Sequence, residues 1–213
     1  MTGIVVIGAG GFGRETLDVI EAINLAAGEL VYQVRGVVDD SPSDNNVARL
    51  ASRGYQYLGG IDDFMTSGDS DCCVVAVGNP LTRATLVSRL AGRLDATQPL
   101  IHPSAIFGSQ FECGEGTVIC AGVQISTNVS LGAHDHLNPG AIVGHDSQLA
   151  DYVSVNPGAI ISGEVTVSSG VLVGAGAVIL QGLSVAANST IGASACVVGN
   201  VGAGSIVKGV PAK

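Results

Sequence analysis

The sequence predicts two parts of different build, a small α/β unit over residues 1–98 and a parallel β-helix over residues 99–213. Strand and helix signals alternate through the first part, as they do where a parallel sheet is wound with helices. From residue 107 an apolar residue instead recurs at every sixth position. The 213 residues include 31 glycines and no tryptophan, and aromatics make up 4%, so the core must come from small and β-branched side chains in a regular lattice.

In the first part, Ile4-Val5-Val6-Ile7 reads as a strand, Gly8 to Gly13 as a turn and Glu15 to Ala26 as an amphipathic helix. Val34 to Val38 is a second strand, ending on Asp39-Asp40. Cys72 to Val77 is a third, closing on Gly78-Asn79-Pro80. Leu81 to Leu94 has helical spacing, with Leu81, Ala84, Leu86, Val87 and Leu90 available for one face. Together these make a small Rossmann-like parallel sheet, whose ligands sit at the carboxyl ends of its strands. Gly8-Ala9-Gly10-Gly11-Phe12-Gly13 follows a strand and opens a helix, where glycines let backbone N–H groups approach a pyrophosphate. The usual meaning of such a motif is dinucleotide binding. This unit holds at most one mononucleotide half plus a strand or two, which argues against a dehydrogenase.

In the second part the sixfold series runs Phe107, Cys113, Ile119, Ile125, Leu131, Leu137, Val143, Leu149, Val155, Ile161, Val167, Val173, Ile179, Val185, Ile191, Val197, and every member from Ile119 is aliphatic. Four residues on in each hexad the side chain is mostly small or β-branched, as in Thr117, Val123, Val129, Ala141, Ser147 and Val153. Six residues make one flat side and three sides a triangular coil of eighteen, with the aliphatic residue pointing inward onto its counterpart in the next coil. The same count works as a ruler. Leu137-Asn138-Pro139-Gly140-Ala141-Ile142 recurs as Val155-Asn156-Pro157-Gly158-Ala159-Ile160, and Thr127, His145 and Gly163 fall in one column.

A net charge of −9 argues against nucleic acid as a partner, since binding it needs surplus cations. Five cysteines without a CxxC motif read as packed thiols rather than disulfides or a metal site. The opening MTGIVVIGAGGFGRE has no basic n-region, and no apolar run approaches the ~20 residues of a membrane span. These features predict a soluble, cytoplasmic protein.

The GAGGFGRE segment, the HPSA at residues 102–105, the unbroken hexad series, His145-Asp146 and the terminal VKGVPAK together resemble the PglD/NeuD group of sugar acyltransferases, over essentially the whole chain. The resemblance implies a left-handed β-helix, a homotrimer with sites in clefts between neighbouring helices, acetyl-CoA as co-substrate and a nucleotide sugar as acceptor. It makes His145 the general base. Acyl transfer from a thioester needs such a base near the working pH, and imidazole has an unperturbed pKa of ~6.5. Asp146 takes the place of the acidic neighbour that orients the ring. Asn138 matches an asparagine close to the base, although an Asn138/Asn156 ladder that only satisfies backbone groups is nearly as good a reading. Relatives often carry a second histidine nine residues beyond the base. Here that place is Ser154, so its role is lost or passed to the serine.

Gly163, one coil from His145, leaves the space in front of the base for the thioester. The resemblance adds pantetheine contacts from the backbone at Gly163, Ala175 and Ala193. Lys208 and Lys213, the only cations after Arg93, are the candidates for the phosphates of coenzyme A. In the first unit, Gly8, Gly10, Gly11, Phe12 and Gly13 would hold the nucleotide, with Asp39 or Asp40 accepting from base or ribose and Asn79 and Arg83 at the end of the third strand. Loop carboxylates are often only caps or turns. His134 and His136 flank Asp135, which fills a normally small inward position. Alternate residues of a strand point apart, which speaks against a metal there. N-acetylation of a nucleotide-linked amino sugar is the leading expectation. O-acetylation of a sugar acid is the nearest enzymatic alternative, and a non-catalytic trimeric nucleotide-sugar-binding protein is the alternative of another class.

Overall fold

A computed structural model describes residues 1–66, 72–91 and 98–213. The chain divides into two compact units, one of Met1–Gly78 with Thr82–Gln98 and one of Asn79–Leu81 with Pro99–Lys213.

The first unit runs β1 (Thr2–Ile7), α1 (Gly11–Ala27), β2 (Tyr32–Val38), α2 (Asp44–Ser52), α3 (Ile61–Thr66), β3 (Cys72–Val75) and α4 (Pro80–Arg89). Its sheet is parallel in the order β2-β1-β3. Because β1 is paired along both edges and covered on both faces, its Ile4–Ile7 run is apolar throughout and buried. Helix α1 begins at Gly11, four residues before the sequence suggests, because the glycine turn feeds straight into it from an extended Gly10. It ends on a left-handed Gly28 whose N–H returns to the Leu25 carbonyl. Helices α2 and α3 were not anticipated. The first is set by Ser43, whose side chain accepts from the Asn46 N–H, and both bury only one or two residues. Of the helix expected over 81–94, residues 92–94 lie outside the described residues.

The second unit is a left-handed parallel β-helix of two-residue strands on three sides. The first side stacks Leu100–Ile101, Val118–Ile119, His136–Leu137, Ser154–Val155, Leu172–Val173, Thr190–Ile191 and Ile206–Val207. The second stacks Ile106–Phe107, Gln124–Ile125, Ile142–Val143, Ile160–Ile161, Val178–Ile179 and Cys196–Val197. The third stacks Glu112–Cys113, Ser130–Leu131, Gln148–Leu149, Thr166–Val167 and Ser184–Val185. Coil pairs with coil at the expected eighteen residues, as in His136 with Ser154 and Ile142 with Ile160. The aliphatic column from Ile119 to Val197 forms one continuous core, closed at its start by the stacked rings of Phe107 and Phe111.

Two features of the coil were hidden in the sequence. The ruler shortens at the end, where Val185 pairs with Val201 and Thr190 with Ile206, sixteen residues on instead of eighteen. The turn into each side also places one residue in the left-handed region. These residues come at every sixth position from Gln110 to Ser194, and they include Asn128, His134, Asp146, Tyr152 and Glu164 as well as glycines.

Polar residues at inward corners have a structural task. A corner N–H that points along the axis finds no carbonyl in the preceding coil, and a buried unpaired N–H is costly. Thr117 Oγ1 accepts the Asp135 N–H, and Ser147 Oγ accepts the Val165 N–H. Asp135, fully buried, accepts the Val153 N–H at 2.7 Å and the Gly132 N–H at 3.1 Å. This explains the carboxylate that the sequence left without a role.

Candidate active site

His145 lies at the corner between the second and third sides, with the inward Val143 and Ser147 buried on either side of it. Its own side chain is 57% exposed. Nδ1 stands 2.7 Å from Oδ2 of Asp146, and the other carboxylate oxygen accepts from the side-chain amide of Asn128 at 2.7 Å. That amide bond, and then the contact with His145, hold the Asp146 carboxyl below its ordinary value. With Nδ1 committed to the carboxylate, Nε2 is the nitrogen left to exchange a proton.

Gly163 lies one coil on in the same column, as the ruler requires, for the Glu164 N–H donates to the His145 carbonyl. The space its missing side chain leaves is nevertheless not open. A Cβ at residue 163 would stand 2.5 Å from Nε2 and 2.6 Å from Cε1 of His145. The glycine admits the imidazole ring itself, which corrects the expectation that it makes room for the thioester.

Asn138 follows the first side, so it sits at the corner between the first and second sides. There its amide donates to the Val155 carbonyl at 3.1 Å and approaches Asn156 Oδ1 at 3.5 Å. Within one chain this is the ladder arrangement, and the whole second side separates Asn138 from His145. Ala175, Ala193 and Lys208 share Asn138's corner. Lys208 and Lys213 are exposed and joined by a reciprocal pair of backbone hydrogen bonds, which folds the tail back on itself. Ser154 is buried on the first side, away from the corner of His145. His134 stacks on Tyr152 with ring centroids 5.5 Å apart.

In the first unit the glycine turn does two jobs. A Cβ on Gly8 would meet the Ala76 carbonyl at 2.8 Å, and one on Gly13 would run into the carbonyl of Gly8, so these two glycines serve close packing. Gly10 and Gly11 face open space. Asp39 Oδ2 accepts the Ala9 N–H at 2.8 Å and its Oδ1 the Ser41 N–H at 2.9 Å. Asp40 accepts from the Ile61 N–H at 2.9 Å and from Arg89 at 2.6 Å, and these two donors hold its carboxyl below the ordinary value. Arg83 is fully buried and donates to the Val77 carbonyl at 2.8 Å. A cavity of about 240 Å³ opens at the strand ends, with apolar walls from Ile7, Ile61, Val77 and Leu86 and polar atoms from Asp39, Asp40, Ser41 and Thr82.

Comparison with known proteins bears on both units. Residues 3–90 match the family model of the PglD N-terminal domain. The first unit resembles that domain along nearly its whole length. Over 155 residues the chain is 31% identical to a GDP-perosamine N-acetyltransferase of Escherichia coli O157:H7, a match that covers 70% of this chain and 65% of that protein. A histidine-to-asparagine mutant of perosamine N-acetyltransferase from Caulobacter crescentus, solved with CoA and GDP-perosamine, superposes with a TM-score of 0.87 at 28% identity, covering 100% of this chain and 96% of that one. The acetyltransferase domain of PglB from Neisseria gonorrhoeae FA1090, solved with acetyl coenzyme A, gives 0.83 at 27% identity over 99% and 98%. The likeness to these solved acetyltransferases therefore runs along the whole chain.

Within the first unit the structure brings Gly8, Asp39 and Asp40 to one cavity, whereas Asn79, which falls with the second unit, is exposed. Both aspartates spend both carboxylate oxygens on the fold itself, which is the cap-and-turn role that loop carboxylates often have. Sequence reasoning missed Asn128, which belongs to no motif. Only the eighteen-residue ruler, applied backward from Asp146, would have found it.

Proposed function

We propose that the protein is an acetyl-CoA-dependent N-acetyltransferase acting on an amino sugar carried by a nucleotide. The observation that carries the reading is His145, held through Nδ1 by a carboxylate and lodged over a glycine, with Nε2 at an exposed corner of the helix. The amine nitrogen of the acceptor attacks the thioester carbonyl carbon while its proton passes to Nε2. The C–S bond then breaks, and the coenzyme A thiolate leaves with the proton returned by the imidazolium. Asp146 balances the ring's charge in between. General-base assistance of this kind is worth roughly 10²–10⁴-fold. The likeness to N-acetyltransferases solved with CoA and GDP-perosamine supports both substrates.

The placement of the remaining candidates supports a cyclic trimer. His145, Asp146 and Gly163 lie at one edge of the second side, and Asn138, Ala175, Ala193 and Lys208 at the other. A flat side of about five extended residues is roughly 15 Å wide, too far for both edges of one chain to touch a single thioester. The outward residues of that side are Ile106, Gln124, Ile142, Ile160, Val178 and Cys196, whereas those of the third side are Glu112, Ser130, Gln148, Thr166 and Ser184. Packing second sides in a closed ring buries the apolar face and sets one chain's His145 edge against its neighbour's Asn138 edge. In that cleft the backbone N–H groups of Gly163, Ala175 and Ala193 are donors for the thioester and pantetheine, and Lys208 and Lys213 are partners for phosphate. Gly10, Gly11 and the strand-end cavity hold the nucleotide.

A thermal-shift panel of GDP-, UDP- and dTDP-linked amino sugars, with and without acetyl-CoA, tests the reading, because a ligand at a hundred times its Kd stabilises by about 2.7 kcal/mol. One nucleotide class and acetyl-CoA should each raise the melting temperature, and that sugar should be acetylated on nitrogen with release of free thiol. Binding of the sugar without any thiol release would leave a binding protein instead.

A further inference from the structure

Asn128 stands one coil before Asp146 in the same corner column, and both residues have left-handed backbone, φ 55° and 61°. The coil ladder fixes their spacing, since the Asp146 N–H donates to the Thr127 carbonyl and the Asn128 N–H to the Ser109 carbonyl. The Asn128 amide therefore meets Oδ1 of Asp146 at 2.7 Å by construction, and the carboxylate is clamped from both ends, amide on one oxygen and imidazole on the other. An exposed carboxylate at the end of a short side chain would otherwise rotate and spend much of its time on water. We propose that Asn128 is a positioning residue for acetyl transfer: it locks the Asp146 carboxylate so that Oδ2 holds the Nδ1 proton of His145, which leaves the Nε2 lone pair facing the acceptor. The proposal deepens the reading of His145 as the base and rests on it.

The corner holds few other charges. Glu164, exposed one coil on in the same column, and Glu112, in the groove that Asn128 lines, are the other titratable side chains nearby among the described residues, while Gln110 and Gly182 occupy the neighbouring places of the column. Asn128 also lines a polar groove of about 340 Å³ with Gln110, Glu112, Ser130 and Gln148, so water can replace a deleted amide. The expected loss on deletion is accordingly modest.

The test uses Asn128→Gly and Asn128→Asp, both of which tolerate left-handed backbone, so the coil is not strained in either. His145 is titrated without any substrate, by mapping its carbethoxylation with diethyl pyrocarbonate across pH by mass spectrometry. Asn128→Asp sets a second anion beside Asp146 and should move the midpoint to higher pH by about one unit. Asn128→Gly releases the carboxylate and should move it lower. With acetyl-CoA and GDP-perosamine, Asn128→Gly should lower kcat about tenfold and leave the KM for acetyl-CoA unchanged. Midpoints that stay at the wild-type value in both variants overturn the proposal, and lost turnover at an unmoved midpoint assigns Asn128 a structural role only. His145→Ala separates the two readings. If it retains turnover, His145 is not the base, whereas shifted midpoints in the Asn128 variants would still establish the clamp.

Discussion

Gly163→Ala adds one methyl group where the solenoid has least room for it. The backbone at residue 163 is not left-handed, so alanine there carries no conformational penalty, and the whole effect falls on the neighbour. The new Cβ would stand 2.5 Å from Nε2, 2.6 Å from Cε1 and 3.0 Å from Cδ2 of His145, against comfortable separations of ~3.5 Å. The ring must retreat by about 1 Å. It cannot do so freely, because Nδ1 is bound to Asp146 at 2.7 Å and Asp146 to Asn128 at 2.7 Å. A displacement of this size in a catalytic group costs on the order of 10²-fold in rate. The half-exposed imidazole can swing outward, so folding should hardly suffer, with a melting temperature within about 3 °C of wild type. Steady-state kinetics beside thermal melts would read both. Gly199→Ala is the control, a glycine of the same unit whose Cβ would meet nothing within 4 Å. Wild-type kcat in Gly163→Ala would refute the reasoning, for the ring would then either not stand over residue 163 or not be the working group.

Ile160→Glu places a charge on the apolar second side and should convert the proposed trimer to smaller species in sedimentation while abolishing turnover, with nucleotide-sugar binding retained; an active monomer would sink the shared cleft. Lys208→Ala with Lys213→Ala should raise the KM for acetyl-CoA and leave that of the sugar alone, and equal changes in both would mean that the tail orders the whole site. Asp40→Asn tests the first unit. The Asp40 carboxyl is held below 3.8 by the Ile61 N–H and Arg89. A depressed carboxyl stabilises the fold above its unfolded value and loses that contribution as pH falls through the folded one. The advantage of wild type over the variant, measured by urea unfolding, should therefore be full at pH 7 and fade below about pH 4.

The solenoid was legible because its rule is written in every hexad. An inward side chain must match its counterpart in the next coil, and from Ile119 to Val197 nothing else fits. The rule stopped being readable where the coil shortens, since the residue in phase at Ala203 is small enough to pass for a member of the series. The left-handed turn positions were invisible for a different reason. Coil stacking fixes the backbone there, so Gln110, His134, Tyr152 and Glu164 are held in a conformation that their types do not announce. His145 and Asp146 stand out in the sequence through their resemblance to a known pair, whereas Asn128 is adjacent to them only in space. In the first unit, Asp39 and Asp40 were placed correctly at the strand end, but their engagement with the Ala9 and Ile61 N–H groups depends on loops that carry no periodicity.

A stacked coil also makes this molecule a ruler with a fixed smallest division. Lys208 lies four coils beyond Asn138 in one column, through Asn156, Gly174 and Gly192, a span of roughly 19 Å. No side-chain substitution can alter that span, and the sixteen-residue last coil shows that even a change in coil length leaves the axial step and the inward Val207 in place. The reach between Asn138 and the charged tail can change only by whole coils, in steps of about 4.8 Å. Were Lys208 and Lys213 to hold a carrier's phosphates, arms differing by less than one step would have to be accommodated by the side chains at the two ends, not by the helix.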